Sequence, residues 1–371
     1  MTSDAVAHEG HAAQFHGYHA NTSEFDMKHL IHTLALTLCI GAAHSATAGE
    51  TYAPAMRDIA IKDGNTRALD GILWYPAEAG TALKTQHTNA VWAGVQAAAN
   101  AEPIAGNFPL VVLSHGIYGN ARNQNWLAVE LVKQGYMAVS LNHPGSSTWL
   151  RDPDDARQIW QRPKDVTRAI SFLLENPDTK QLINPERIYM AGHSLGGMTA
   201  MQLAGARYSP EKVDGFCEAN PDDLLCGIVQ MWQLGQTVED KDAIKQDLHD
   251  PRLKGIAVFD LGATQTFSPE SLQAINVPLL VIGAPQENAG SLNLDLESRA
   301  LVAHLPKATT TYMEPSSLSH FDFLGKCTDK AIPILESEVP GDGMICEDGV
   351  EERVIDHALI TEAVLEFFAA H

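Results

Sequence analysis

Positive charge is what this 371-residue sequence has least of. Twenty-five Lys and Arg stand against 46 Asp and Glu, a formal net charge of −21. A surface of that sign repels phosphate backbones and anionic membranes, so nucleic acid is not an expected partner and stable membrane insertion is not expected either. Long apolar runs are wanting too. The best candidate, 30–43, is shorter than the roughly 20 residues that cross a bilayer and is interrupted by His32. Cysteine is sparse: five residues, none in C-x-x-C spacing, which removes the usual zinc frameworks. No internal repeat is visible, which argues against solenoids and propellers.

What is there begins with a segment that does not read as fold. Met27-Lys28-His29 leads into the apolar run and then into Ala46-Thr47-Ala48. A basic start, a short apolar core and an A-x-A-like site describe a secretory signal peptide. Residues 1–26 are polar and carry His8, His11, His16 and His19. They could bind metal, but the favoured reading takes Met27 as the true start and residues 1–48 as leader plus signal peptide. The protein is then exported, periplasmic or secreted. Residues 49–371 remain, with a net charge of −18, enough for a single large domain.

Cys39 leaves with the signal peptide. The other four fall as Cys217/Cys226 and Cys327/Cys346, and an even number in an exported chain reads as disulfides. Three connectivities are open, and closeness in sequence favours these two local pairs.

The body of the chain alternates strands and helices. Two strand-like runs, 57–61 and 68–75, flank an Asp63-Gly64 turn and predict an antiparallel hairpin at one edge of a sheet. Residues 77–107 lack a clear period and read as a loop. Continuously apolar strands follow at 108–113, 136–141 and 187–191, then at 255–260, 277–283 and 309–313. Helical patterns lie between them, and a closing helix over 354–369 shows Ile355, Leu359, Ala363 and Phe367 as its stripe. Such strands indicate an α/β fold whose mostly parallel central sheet is covered by helices on both faces. Residues 208–254 exceed a normal connection and hold one cysteine pair, so they predict a small cap insertion.

The chemistry centres on Gly192-His193-Ser194-Leu195-Gly196-Gly197. This is G-x-S-x-G between a strand and a helix, the setting a nucleophile elbow needs. A serine in so tight a turn has strained dihedrals, and side chains two positions away on either side would collide. The helix that follows aims free N–H groups and its positive end at the serine.

A serine hydroxyl needs a base, and the base needs an acid to orient it. Of nine histidines beyond residue 48, only His320 lies in the loop after the last strand. Asp260 ends an apolar strand, where a carboxylate is costly without a partner. Glu287, beyond the next strand, is its competitor. Leu195 N–H and an N–H after Ser114-His115-Gly116, that of Ile117, are the candidate oxyanion donors. The acidic stretches at 152–155 and at Asp342, Glu347 and Asp348 lack the ladder of a calcium loop and read as solvated. Trp149, Trp160 and Trp232 are either pocket or core.

On Ser114-His115-Gly116, the 192–197 motif, Asp260 and His320-Phe321-Asp322-Phe323, the chain resembles the α/β-hydrolases. Among these it is similar to the predicted dienelactone hydrolases related to platelet-activating-factor acetylhydrolases. The resemblance spans about residues 55–370. It implies an α/β-hydrolase fold and a serine esterase acting on a small-molecule ester without metal or organic cofactor. In it Ser194 is nucleophile, Asp260 acid, His320 base, and Ile117 and Leu195 oxyanion donors. True dienelactone hydrolases carry cysteine where this chain has Ser194. Lactonases, lipases and peptidases use the same triad, and a non-catalytic binding protein on this scaffold is the reading from another class.

Overall fold

The computed structural model describes residues 52–371 apart from Thr66, Ala289 and Asp348. The signal peptide and leader assigned to 1–48, with their histidines, lie outside the described residues. Strands β1 (Ala53–Ile61), β2 (Leu69–Ala77), β3 (Lys84–Gln86), β4 (Val95–Ala99) and β5 (Phe108–Ser114) come first. Then α1 (Asn125–Lys133), β6 (Met137–Asn142), α2 (Pro153–Ala156), α3 (Gln161–Glu175), β7 (Ile183–His193) and α4 (Leu195–Ala204) follow. Three helices form an insert: α5 (Pro210–Ala219), α6 (Leu224–Trp232) and α7 (Val238–Ile244). The chain closes with β8 (Leu253–Phe259), α8 (Pro269–Gln273), β9 (Leu279–Ile282), α9 (Ser298–His304), β10 (Thr310–Met313), α10 (Ala331–Glu338) and α11 (Val350–Ala370).

The ten strands lie in the order β10-β9-β8-β7-β5-β6-β2-β1-β4-β3. From β10 to β6 every neighbouring pair is parallel. The inner strands β5, β6, β8 and β9 and the second half of β7 are buried on both faces, which is why their sequences read as near-continuous apolar runs. The strand β10, at the edge, is only partly buried. In β5, Leu110 and Val112 enter the core layer under α3 and α4, while Val111 and Leu113 enter the layer under α1 and α11. Burying each such side chain contributes about 1.5–3 kcal/mol before entropy is counted.

The order also places the crevice. After β5 the chain adds β6 on one side, then returns through α3 to lay β7 on the other. Beyond the carboxyl ends of strands that diverge in this way, helices leave room for a ligand. Ser114 and Gly192 are register partners at that point.

Three expectations need correction. Residues 77–107 are not all loop: β4 pairs with β1 and β3 with β4, so the hairpin β1–β2 is not the edge. These strands are short, Lys-Thr-Gln in β3 and Val-Gln-Ala-Ala-Ala in β4, and neither shows the apolar alternation that marks a strand. The insert is helical, but its last two expected residues belong to β8. On α11 the buried stripe is Ile360, Val364, Phe367 and Phe368, and Ile355 is 68% exposed. The helix starts four residues earlier than its apolar pattern, and its first turns turn Arg353 and His357 inward rather than aliphatic side chains.

The disulfides are Cys217–Cys226 and Cys327–Cys346, with Cα–Cα distances of 5.4 and 5.9 Å. Among the described residues no helix is long and apolar enough to cross a membrane.

Candidate active site

Ser194 occupies the turn between β7 and α4 with φ 54° and ψ −118°. For a residue with a side chain this backbone is strained by about 1–3 kcal/mol, and it persists because the surroundings leave no other path. A Cβ on Gly192 would sit 2.1 Å from Gly196 O, and one on Gly196 would sit 2.0 Å from Ser114 O. Both positions therefore require glycine. Ser194 N donates to Phe259 O at 2.9 Å, which fastens the turn to the end of β8.

One residue further along, Asp260 leaves β8 with φ 35° and is wholly buried. Its Oδ1 accepts from Ala284 N at 3.0 Å. His320 Nδ1 lies 2.6 Å from its Oδ2. An imidazole that donates through Nδ1 to a carboxylate keeps the Nε2 lone pair free. Glu287 is exposed and faces a different hollow, with Asn288 and Asp295.

The loop that carries His320 is held at many points. Ser319 N donates to Asp322 Oδ2 at 2.7 Å, and His193 Nε2 to His320 O at 2.8 Å. Trp126 Nε1 donates to Phe323 O at 3.1 Å. From α11, His357 Nε2 lies within 3.0 Å of both Asp322 O and Leu324 O. Burial lowers the His357 pKa to about 3, so this ring is neutral and serves as a donor. Arg353 joins the loop to the second disulfide: its Nε meets Asp322 Oδ1 at 3.3 Å, its Nη2 donates to Ile345 O at 2.8 Å, and its Nη1 lies 3.2 Å from Cys327 Sγ.

Ser194 and His320 line one cavity of about 640 Å³, together with Ile117 and Leu195. Among the described residues the Ser194 hydroxyl makes no hydrogen bond. Neither Ile117 N–H nor Leu195 N–H donates to another described residue, so both are available to an incoming oxygen. The walls are largely apolar: Met198, Leu225, Ile228, Leu234 and Leu292 line them. The insert supplies three of these side chains. Its α6 also touches the Ile117 loop, where Trp232 Nε1 donates to Tyr118 Oη at 3.1 Å. A larger hollow of about 900 Å³ opens between α1 and α11, but it contains neither Ser194 nor His320, and chemistry assigns the smaller one.

Of the three tryptophans, Trp160 and Trp232 are core, whereas Trp149 is 57% exposed beneath Arg122 and lies outside the cavity. Sequence reasoning missed Glu297, a buried carboxylate in the cavity wall that accepts from Ala263 N and Thr264 N at 3.0 and 2.7 Å. Burial raises its pKa to about 7. It also missed a polar cluster behind the site, built on Arg162, His143 and Asp165. The available signal was position: Asn142-His143-Pro144-Gly145 closes an apolar strand just as Asp260 does. Among the described residues no cluster of three metal-ligating side chains occurs.

The fold is that of the α/β-hydrolases. A family model for the alpha/beta hydrolase fold matches residues 109–225, the stretch from β5 through the elbow into the insert. Among solved structures the chain is similar to a ferulic acid esterase from Streptomyces cinnamoneus. The two superpose with a TM-score of 0.58 at 18% sequence identity, covering 88% of this chain and 92% of that one. No curated protein sequence matches the chain.

Proposed function

We propose that this chain is an exported serine hydrolase that cleaves carboxylic esters through an acyl-enzyme. The observation that carries the reading is the 2.6 Å contact between Asp260 Oδ2 and His320 Nδ1, at the wall of a cavity that also holds Ser194. In the proposed cycle Ser194 Oγ attacks the ester carbonyl while His320 Nε2 takes its proton. The carbonyl oxygen becomes an oxyanion and receives N–H bonds from Ile117 and Leu195. Collapse expels the alcohol, which leaves with the proton from His320. Water repeats the sequence on the acyl-serine and releases the acid. Each oxyanion donor contributes on the order of 10²–10³ in rate in comparable enzymes.

The ferulic acid esterase likeness and the apolar walls both favour an ester with a bulky, largely uncharged acyl group over a peptide. The narrower kinship to the acetylhydrolase-related group rests on the four motifs quoted above. Export is favoured by the two disulfides and the signal-like start.

The test is a panel of esters of graded acyl length, with a lactone and a peptide amide alongside, run on the wild type and on Ser194→Ala. A fluorophosphonate should label the wild type once, at Ser194, and the mutant not at all. Ester turnover that survives in Ser194→Ala would end this proposal.

A further inference from the structure

A second Ser–His–Asp line lies behind the first. Ser114 Oγ is 3.0 Å from His143 Nε2, and His143 Nδ1 is 3.1 Å from Asp165 Oδ2. All three side chains are fully buried, so no substrate reaches this serine. The protons in the cluster run one way. At one end Arg162 can only donate; at the other Asp165 accepts from Arg67 Nε and Nη2 at 3.0 and 3.1 Å. Between them Arg162 Nη2 reaches Ser114 Oγ at 3.3 Å, Ser114 donates to His143, and His143 donates to Asp165. The neighbouring His115 is assigned as firmly. Its Nε2 accepts from His143 N at 3.2 Å, so its Nδ1 carries the proton and donates to Gly116 O at 2.7 Å.

Arg162 touches both sides of the candidate oxyanion site. Its Nη2 donates to His115 O, two residues before Ile117. Its Nη1 donates to Ser146 Oγ at 2.7 Å, and Ser146 O accepts from Tyr118 N at 2.8 Å. Its Nε donates to Thr199 Oγ1 at 3.0 Å, which in turn donates to Leu195 O at 3.0 Å. One rigid, planar guanidinium thus ties the loop before Tyr118 to the first turn of α4. No other residue type offers five fixed donors at that spacing.

We propose that Arg162, aligned by the Ser114–His143–Asp165 line, is a positioning residue that sets the separation of the Ile117 and Leu195 N–H groups. The inference rests on the reading of those two groups as oxyanion donors. Burying a guanidinium is costly, and hydrogen bonds to Thr199, Ser146, Ser114 and His115 offset that cost while fixing all four positions.

The test uses Arg162→Met, which removes every donor at similar volume, and Thr199→Val, which cuts only the link to α4. Three readouts are taken: kcat and KM, the rate ratio between an ester and its thionoester, and hydrogen exchange at the Tyr118 amide. Sulfur fits an oxyanion site poorly, so the ratio reports how tightly the site is set. Arg162→Met should keep KM within about threefold and lose about 10²-fold in kcat, the scale of one misplaced donor. The ester-to-thionoester ratio should fall at least about tenfold, and Tyr118 should exchange at least about tenfold faster. Thr199→Val should move kcat and the ratio the same way, by about tenfold.

A folded Arg162→Met with an unchanged ratio overturns the proposal, even if its melting temperature drops. If Arg162→Met does not fold, an unchanged ratio in Thr199→Val overturns it. If the wild type shows no Ser194-dependent turnover, the esterase reading fails by itself. Tyr118 exchange then decides the positioning claim, and unchanged exchange in a folded Arg162→Met overturns it.

Discussion

His193, the residue before the candidate nucleophile, donates from Nε2 to the carbonyl of His320, the candidate base, at 2.8 Å. The elbow therefore grips the base loop by its backbone and leaves the His320 ring to Asp260. Burial and the neighbouring His320 hold the His193 pKa well below its usual value, so the ring is neutral and its proton is committed to this one bond.

His193→Phe keeps the ring shape and its stacking on Phe323 but leaves His320 O without this donor. A buried carbonyl so orphaned costs about 1–3 kcal/mol. We expect about that loss in urea unfolding and about a tenfold fall in kcat. His193→Gln, which retains a donor of similar reach, should recover most of the activity. Equal activity in the two variants would refute the grip.

Asp260→Asn should lose on the order of 10³–10⁴ in kcat with a smaller change in KM, by analogy with triad enzymes. Glu287→Gln should lose less than about tenfold, since Glu287 is exposed and lines a different hollow from His320. Steady-state kinetics on both variants checks this, and the reverse pattern would move the acid to the later strand.

The two disulfides should fail differently. Cys327–Cys346 reaches the His320 loop through Arg353, so Cys327→Ser with Cys346→Ser should lower kcat about threefold to tenfold. Its stability cost should not exceed about 3 kcal/mol. Cys217–Cys226 joins α5 to α6 in the cavity wall, so its double serine variant should raise KM for bulky acyl groups and leave kcat for small ones nearly unchanged. Michaelis parameters for a short and a long ester separate the two cases, and a kcat loss confined to the Cys217–Cys226 variant would contradict the assignment.

Glu297 makes stability depend on pH. Its carboxyl is raised to about 7 in the fold from about 4.3 in an unfolded chain. The folded state then holds the proton through that interval. The contribution is complete below about pH 4.3 and is lost as pH rises through 7. Glu297→Gln removes the dependence. Relative to wild type it should gain stability between pH 4.5 and pH 8 by on the order of 3 kcal/mol, at about 1.36 kcal/mol per pH unit. Urea titrations at the two values measure this, and a constant difference would count against it.

Much of the frame was legible because its parts follow one-dimensional rules. The inner parallel strands are buried on both faces and so read as apolar runs. The glycines around Ser194 are sterically forced and so spell a motif, and the cysteine pairs are local. What stayed hidden depends on three dimensions. β3 and β4 owe their pairing to a sheet edge that their own side chains do not announce. The inward face of α11 is polar where Arg353 and His357 brace a loop, so an apolar stripe could not mark it. Arg162 and Asp165 share α3, but the Ser114 and His143 they meet come from the end of β5 and the turn after β6, and no spacing in the chain reveals that meeting.

Trp126 and Phe323 are 197 residues apart in sequence, yet the hydrogen bond between them helps hold the loop that carries His320. The same loop leans on His193, 127 residues from His320, and on Asp260, 60 residues away. Contacts of such separation form only after the intervening chain has closed, and loop closure makes them late. During renaturation with the disulfides intact, helical circular dichroism should return first and esterase turnover last. Catalytic competence would then be a clock for the final stage of folding.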